Sequence, residues 1–183
     1  MEGKIIYQGL NNTGKKIIVR YPESSDAPEM TDYINKLSDE RTFITYQGEH
    51  ENLESEANYL NSVLGKIQKK KSVHLLVFVE QQLAGIAGVD LGDKINSHVG
   101  ILGISIDQEF RGKGIGKILM ENILTESADQ LKQMKILTLG VFSNNAFAYN
   151  WYKKLGFKDY GNLPKGVKLE NGYVNHIYMY KEI

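Results

Sequence analysis

Apolar and polar positions alternate along the first half of the chain in a way that predicts two strands, two helices and two further strands. The stretch KIIYQGLNNTGKKIIVRY places two β-rich runs around Asn11–Gly14, which predicts a hairpin. Helices are predicted over 25–40, with Asp26 as its cap and Pro28 in its first turn, and over 52–70. One face of the second helix is predicted to be apolar: Leu53, Ala57, Leu60 and Leu64. Two strands joined by a polar turn at Glu80–Gln82 follow.

The second half of the chain continues this alternation. The near-continuous apolar run SHVGILGISID predicts a strand buried on both faces. A helical stripe then runs from Ile115 to Leu131, and KILTLGVF predicts another buried strand. A short helix, capped by Asn and ended by Gly156, precedes two strands that flank a turn over 161–172. The whole pattern predicts one α/β domain over 1–183, with a central mixed, twisted sheet of about six to seven strands and four main helices.

Composition narrows the function classes. The chain of 183 residues has 22 basic and 22 acidic residues and a formal net charge of zero, which argues against a nucleic-acid partner. It contains no cysteine, which excludes thiolate catalysis and cysteine-based zinc sites. No apolar run reaches the length of a secretory signal or a membrane span, so we expect a cytoplasmic protein with no membrane partner.

The stretch EFRGKGIGKILM, residues 109–120, concentrates glycines and cations where a helix is predicted to begin. It is not a P-loop, because Arg111 stands where the first glycine belongs and Ile118 where the hydroxyl belongs. It is not a dinucleotide fingerprint either, because Lys117 occupies the third glycine position. The free amides of a helix N-terminus attract anions, and glycines allow a close approach. A phosphate-binding turn and a plain β–α turn with solvated cations both remain open at this point.

A second motif favours the phosphate-binding turn. Arg111 to Gly116 fit the pattern Arg/Gln-x-x-Gly-x-Gly/Ala, and the later positions Asn145, Ala148, Tyr152 and Leu155-Gly156-Phe157 fit Asn-x-x-Ala through Tyr to Leu-Gly-Phe. Both motifs and their separation resemble the GNAT superfamily of acetyl-CoA-dependent N-acetyltransferases. The motifs cover 98–160 and the element pattern covers 16–183, so residues 1–15 are predicted to be an N-terminal hairpin extension.

The resemblance implies a cofactor site and a catalytic acid. Acetyl-CoA is the implied cosubstrate, and no metal is implied. The backbone of Ile104, Ser105 and Ile106 would meet the pantetheine arm. The pyrophosphate would lie on the loop and the first helical turn: Arg111, Gly112, Lys113, Gly114, Ile115, Gly116 and Lys117. Asn145 would hydrogen-bond the cofactor arm, although it also suits a helix cap. Tyr152 would protonate the leaving thiolate as the general acid, although an aromatic at helical spacing also suits a core.

The general base is not identified by the resemblance. The branch that acetylates ribosomal-protein N-termini commonly carries a glutamate at the position of Gly140, and the histone-acetylating branch carries one at the position of Gly100; glycine cannot move a proton. His98 and His176 are weak substitutes by residue type, and a water chain is an alternative. In such folds the acceptor amine lies against the first two helices and the last strands. We expect a primary amine, with small molecules favoured over a protein N-terminus or lysine; a non-catalytic acyl-CoA-binding module is the alternative, and a homodimer is left open.

Overall fold

The computed structural model describes residues 1–183 as four helices and eight strands. The strands are β1 (Ile5–Leu10), β2 (Lys16–Arg20), β3 (Ser72–Val79), β4 (Gln82–Leu91), β5 (Val99–Ile106), β6 (Ile136–Phe142), β7 (Lys158–Leu169) and β8 (Gly172–Glu182). The helices are α1 (Ala27–Asp39), α2 (Leu53–Gln68), α3 (Ile115–Gln130) and α4 (Ala146–Lys154). The α/β class, the mixed strand pairing and the N-terminal hairpin are confirmed, with one strand more than the upper prediction. No helix has the length and apolar character needed to cross a membrane.

The chain forms two compact units. The first comprises Met1–Asp90 and Gly103–Lys132, and the second comprises Leu91–Leu102 and Gln133–Ile183. In the first unit the strand order is β1-β2-β3-β4, with the second half of β5 beside β4. The pairings β1–β2, β2–β3 and β3–β4 are antiparallel.

Strand β3 is the centre of the first unit. All eight of its residues are buried, because α3 packs against it and α2 packs against both β3 and α1. The strand that is buried along its whole length is therefore β3 rather than β5. The prediction that β5 is buried on both faces is wrong, since Ile101 and Gly103 are exposed. A run of apolar residues indicates that a strand can be buried, but it does not show which strand is covered by helices on both faces.

The helix ends and faces of the first unit differ in two details from the prediction. Asp26 does precede α1, but its carboxylate accepts hydrogen bonds from the Glu23 backbone N–H (2.8 Å) and from Arg20 rather than capping the helix. The inward face of α2 starts later than predicted. Leu53 is exposed, whereas Glu56, three residues later in the same first turn, is buried.

The second unit is built on β6, which pairs with β5 in parallel and with β8 in antiparallel orientation. The parallel pairing joins Val99–Ile101 to Ile136–Thr138. Helix α4 follows β6 and is held to β8 by the Lys181 ammonium, which donates to the Leu155 carbonyl (2.9 Å). The predicted turn over 161–172 is wrong: most of it belongs to the long strand β7, which pairs with β8 and contains an irregularity between Leu163 and Val167. Pro164 stands in that irregularity, where a missing N–H is tolerated.

Candidate active site

The glycine loop of the first unit leads into α3 with two residues in the left-handed region. Gly112 has φ +73° and Gly114, the residue preceding α3, has φ +82°. A Cβ added at Gly112 would meet no atom within 4 Å, so the loop surface is open there. The first α3 hydrogen bond runs from the Ile118 N–H to the Gly114 carbonyl (3.2 Å), which leaves the amides of Ile115 to Lys117 without helical partners. These features fit an anionic group such as a pyrophosphate.

The connection between β5 and α3 is anchored by helix α1. Asp107, at the end of β5, is almost fully buried and forms an ion pair with Lys36 (2.8 Å). Glu109 accepts from the same ammonium at 2.8 Å, and both carboxylates raise the pKa of Lys36, chiefly through the hydrogen bond to Asp107. Glu40 accepts from the Gln108 backbone N–H (3.0 Å). A partly buried ion pair of this kind holds the loop in one position relative to α1.

The three basic side chains of the loop have protein partners in this structure. The Arg111 guanidinium donates to the Ile106 carbonyl (2.8 Å) and to the Glu40 carboxylate. Lys113 donates to the Glu109 carbonyl, and Lys117 lies 3.8 Å from Glu121 across one helical turn. Lys113 and Lys117 are exposed, and Lys117 has only a long ion pair, so both remain predicted phosphate ligands. Arg111 is better described as fixing the end of β5, and its direct contact with a cofactor stays a prediction.

The predicted pantetheine strand contributes Ile104, Ser105 and Ile106, which are all partly exposed. The Ser105 hydroxyl hydrogen-bonds the Tyr33 hydroxyl at 2.9 Å, and burial raises the pKa of Tyr33. This bond ties the side chain of Ser105 to α1 and leaves its backbone to make other contacts. A backbone role for this strand is compatible with that geometry and stays a prediction.

The N-terminal hairpin reaches the glycine loop, which local sequence patterns do not reveal. The Asn11 side-chain carbonyl accepts from the backbone N–H groups of Thr13 and Lys15, both at 2.9 Å, and so builds the hairpin turn. The neighbouring Asn12 side chain lies close to Gly114. A Cβ added at Gly114 would lie 3.1 Å from the amide oxygen and nitrogen of Asn12. The hairpin extension therefore forms one wall of the turn that precedes α3.

In the second unit Asn145 caps α4, as its position predicts. Its side-chain carbonyl accepts from the Ala148 N–H (3.1 Å). Its backbone N–H donates to the Phe142 carbonyl at the end of β6 (2.9 Å). The capping role uses the carbonyl oxygen, so the amide nitrogen of the partly exposed side chain is the group that could meet a cofactor. That contact stays a prediction.

Tyr152 lies on α4 with its ring packed and its hydroxyl without a protein partner. Its exposed fraction is 8%, and its ring contacts Trp151 and Phe157 with centroid distances of 5.8 and 5.9 Å. Burial raises the pKa of Tyr152 to about 12. At neutral pH the hydroxyl therefore carries its proton, as a general acid must before it acts. Ring packing and acid catalysis are compatible in this geometry.

The two weak histidine candidates lie at opposite ends of β6. The His98 carbonyl accepts from Lys135 and Ile136, where β6 begins, and its side chain is exposed. His176 pairs with Phe142, where β6 ends. Seven strand residues separate the two positions by roughly 20 Å. His98 is therefore remote from the end of β6 at which α4 and Tyr152 follow, whereas His176 lies at that end.

The acidic start of α2 contains a buried glutamate. Glu56 has an exposed fraction of 7%. Burial, and secondarily the charge of Glu51, raises the pKa of Glu56. Glu51 accepts from the Tyr46 hydroxyl (2.9 Å). Local sequence patterns predict a solvated helix start here, because they do not reveal which acidic side chain turns inward.

Comparison with known proteins decides the family. Residues 29–157, well over half of the chain, match the model of the Acetyltransferase (GNAT) family. The chain belongs to the GNAT family. Both motifs identified in the sequence, the glycine loop and the segment from Asn145 to Phe157, lie within the matched residues, so the predicted resemblance is confirmed.

Curated relatives of this GNAT protein act on different amines. The L-amino acid N-acetyltransferase AaaT of Escherichia coli (strain K12) is 32% identical over 107 residues, which are 57% of this chain and 65% of AaaT, just under two thirds of its length. The spermine/spermidine N(1)-acetyltransferase of Bacillus subtilis (strain 168) is 27% identical over 119 residues, covering 60% of this chain and 78% of that enzyme.

Solved structures share the fold across nearly the whole chain. A GNAT-family acetyltransferase from Streptococcus pneumoniae superposes with a TM-score of 0.82 at 27% identity, covering 91% of this chain and 99% of that one. The yncA protein of Salmonella typhimurium, solved with its cofactor acetyl-CoA, gives a TM-score of 0.74 at 16% identity, covering 91% and 93% of the two chains. The second likeness concerns the fold alone.

Proposed function

We propose that this GNAT protein transfers the acetyl group of acetyl-CoA directly to a primary amine that is bound at the same time. The observation that carries the proposal is the loop before α3, where two positive-φ glycines precede the unpartnered amides of a helix start within the matching motif. Acetyl-CoA supplies an activated acyl group and a thiolate leaving group. Pyrophosphate charge at the helix start is stabilised by the amides and the helix dipole.

The residues of this chain then have distinct tasks. The backbone of Ile104 to Ile106 holds the pantetheine arm and can donate a hydrogen bond to the carbonyl oxygen on which negative charge develops. Tyr152 carries a proton that its hydroxyl can give to the departing sulfur. Neither task requires a charged side chain, which agrees with the apolar character of β5 and the packed ring of Tyr152.

We further propose that the acceptor is a small cationic amine. Glu56 supports this, because burial disfavours its charged form and a bound ammonium group would offset that cost, and Glu51 adds a second negative charge. From the family resemblance we expect the acceptor amine to lie against the first two helices, and Glu56 lies on α2. An amino acid N-acetyltransferase and a polyamine N-acetyltransferase among the relatives agree with an acceptor of this size.

Competition between acceptor classes tests this proposal. The purified protein is supplied with acetyl-CoA and with spermidine, free amino acids or a peptide that has a free N-terminus, and release of free CoA is followed. We expect the cationic small amines to be the best substrates. A peptide preferred over every small amine would contradict the assignment of the acceptor while leaving acetyl transfer intact.

A charge-removing variant tests the role of Glu56. Glu56→Gln should raise KM for the best amine by about 10–100-fold, which corresponds to a charge-assisted hydrogen bond of about 1.5–3 kcal/mol. It should not lower the melting temperature, because the amide keeps the size of the side chain and removes a carboxylate whose charged form is disfavoured by burial. Glu54→Gln is the matched control on the exposed face of the same helical turn and should change little. Equal KM values for both variants would place the acceptor elsewhere.

A further inference from the structure

The side chain of His176 occupies space that the lack of a side chain at Gly140 leaves open. A Cβ added at Gly140 would collide with the His176 ring, with Nε2 the closest atom and Cε1 at 2.9 Å. On β7, a Cβ added at Gly166 would come within 2.9 Å of the His176 Cβ. Glycines on both flanking strands therefore make room for one imidazole, whose tip reaches across β6.

The ring is held by aromatic contacts rather than by hydrogen bonds. Its centroid lies 5.7 Å from that of Phe142 in an edge-on arrangement and 4.5 Å from that of Tyr178. Neither ring nitrogen has a protein partner, and the residue is only partly buried. A neutral imidazole has one nitrogen that carries a proton and one that does not, and the second can accept a proton from a molecule that reaches this face of the sheet.

The position along the strand is the one at which α4 begins. Asn175 donates its backbone N–H to the Ser143 hydroxyl (3.0 Å), and the Ser143 N–H donates to the Asn175 carbonyl (2.9 Å). His176 is therefore fixed within two residues of the turn that carries the Asn145 cap and leads into the helix of Tyr152. From the family resemblance we also expect the acceptor amine to lie against the last strands.

We infer that His176 is the general base of the acetyl transfer. The inference rests on the proposed function. Nε2 accepts a proton from the bound ammonium group, which gives the neutral amine. The amine nitrogen forms its bond to the acetyl carbon as the carbon–sulfur bond breaks. The departing sulfur takes the proton of the Tyr152 hydroxyl, and the second proton lost by the nitrogen returns to the Tyr152 oxygen. The imidazolium releases its proton to solvent, so the products are the N-acetylamine, CoA and one proton.

Chemical rescue and a pH profile test this role. His176→Ala should lower kcat/KM for the amine at neutral pH by about 10²–10⁴-fold, and added imidazole should restore part of it, because a free base fills the vacated space. His176→Gln should abolish the decline of kcat/KM on the acid side. The other ionisable side chains beside the ring are Tyr178 on β8 and, next to Gly166 on β7, the exposed Lys165. His98→Ala is the control at the far end of β6 and should retain wild-type rates.

The possible outcomes distinguish failure of the base assignment from failure of the proposed acetyl transfer. Affinity for acetyl-CoA, measured by calorimetry, should be unchanged in His176→Ala. Near-wild-type turnover of His176→Gln, or a loss that imidazole does not rescue and that accompanies a lower melting temperature, would overturn the base assignment while acetyl transfer stands. A wild-type protein that acetylates no amine would overturn the proposed function and the base together.

Discussion

Removing the hydroxyl of Tyr152 separates acid catalysis from packing on α4. In Tyr152→Phe the ring keeps its contacts with Trp151 and Phe157. The hydroxyl makes no hydrogen bond to the protein that its removal would break. We therefore expect the free energy of unfolding to stay constant or to rise slightly. Turnover should fall by about 10²–10⁴-fold, or about 3–5 kcal/mol of transition-state stabilisation, if chemistry limits the wild-type rate.

Steady-state kinetics with a saturating amine and a thermal unfolding curve measure both quantities. KM for acetyl-CoA should change little, because an interaction made in the transition state affects turnover more than binding. Tyr149→Phe is the matched control on the same helix, where the exposed hydroxyl donates to Asp159 (2.7 Å). Normal turnover with a loss of stability in Tyr152→Phe would refute the acid role and make Tyr152 a core residue.

Three further predictions concern the loop, its anchor and alkaline pH. Gly114→Val should weaken acetyl-CoA binding in calorimetry by roughly tenfold or more; Gly172→Val, at a φ of +128° at the open turn between β7 and β8, should cost stability and leave affinity unchanged. Lys36→Met should lower stability by about 1–3 kcal/mol in denaturant unfolding, because it leaves a buried carboxylate without its cation, whereas the exposed pair of Lys132 should contribute under about 0.5 kcal/mol. Because burial raises the pKa of Tyr152 from 10.0 to about 12, its contribution to stability is complete below pH 10 and should be lost as pH rises through 12; an unfolding profile equally steep in Tyr152→Phe would contradict this.

The elements with a strong local signal could be predicted from the sequence. The hairpin at Asn11–Gly14, the Asn145 cap and the Gly156 helix end follow from short-range turn and cap chemistry, and all three are present. The glycine loop and its helix could be placed because positive-φ glycines and a helix start are local features as well. Their assignment to a family depended on two motifs at the right separation.

Features set by long-range packing could not be predicted. No local pattern shows that α1 supplies Lys36 and Glu40 to the loop, or that Glu56 turns inward while Leu53 stays exposed. The open space beside Gly140 is likewise apparent only from the pairing of β6 with β8. Because the His176 ring occupies this space, the structure favours His176 as the base, which residue type alone did not.

Transfer of a labelled acetyl group tests the central claim most directly. The protein is incubated with acetyl-CoA labelled in the acetyl group and with a small cationic amine, and both the labelled amine and the free CoA thiol are quantified. We predict that the two products appear in equal amounts, in proportion to enzyme, and only when the amine is present. Saturable acetyl-CoA binding by folded protein, without labelled product from any amine tested, would contradict the claim and would identify the chain as a non-catalytic acyl-CoA-binding module.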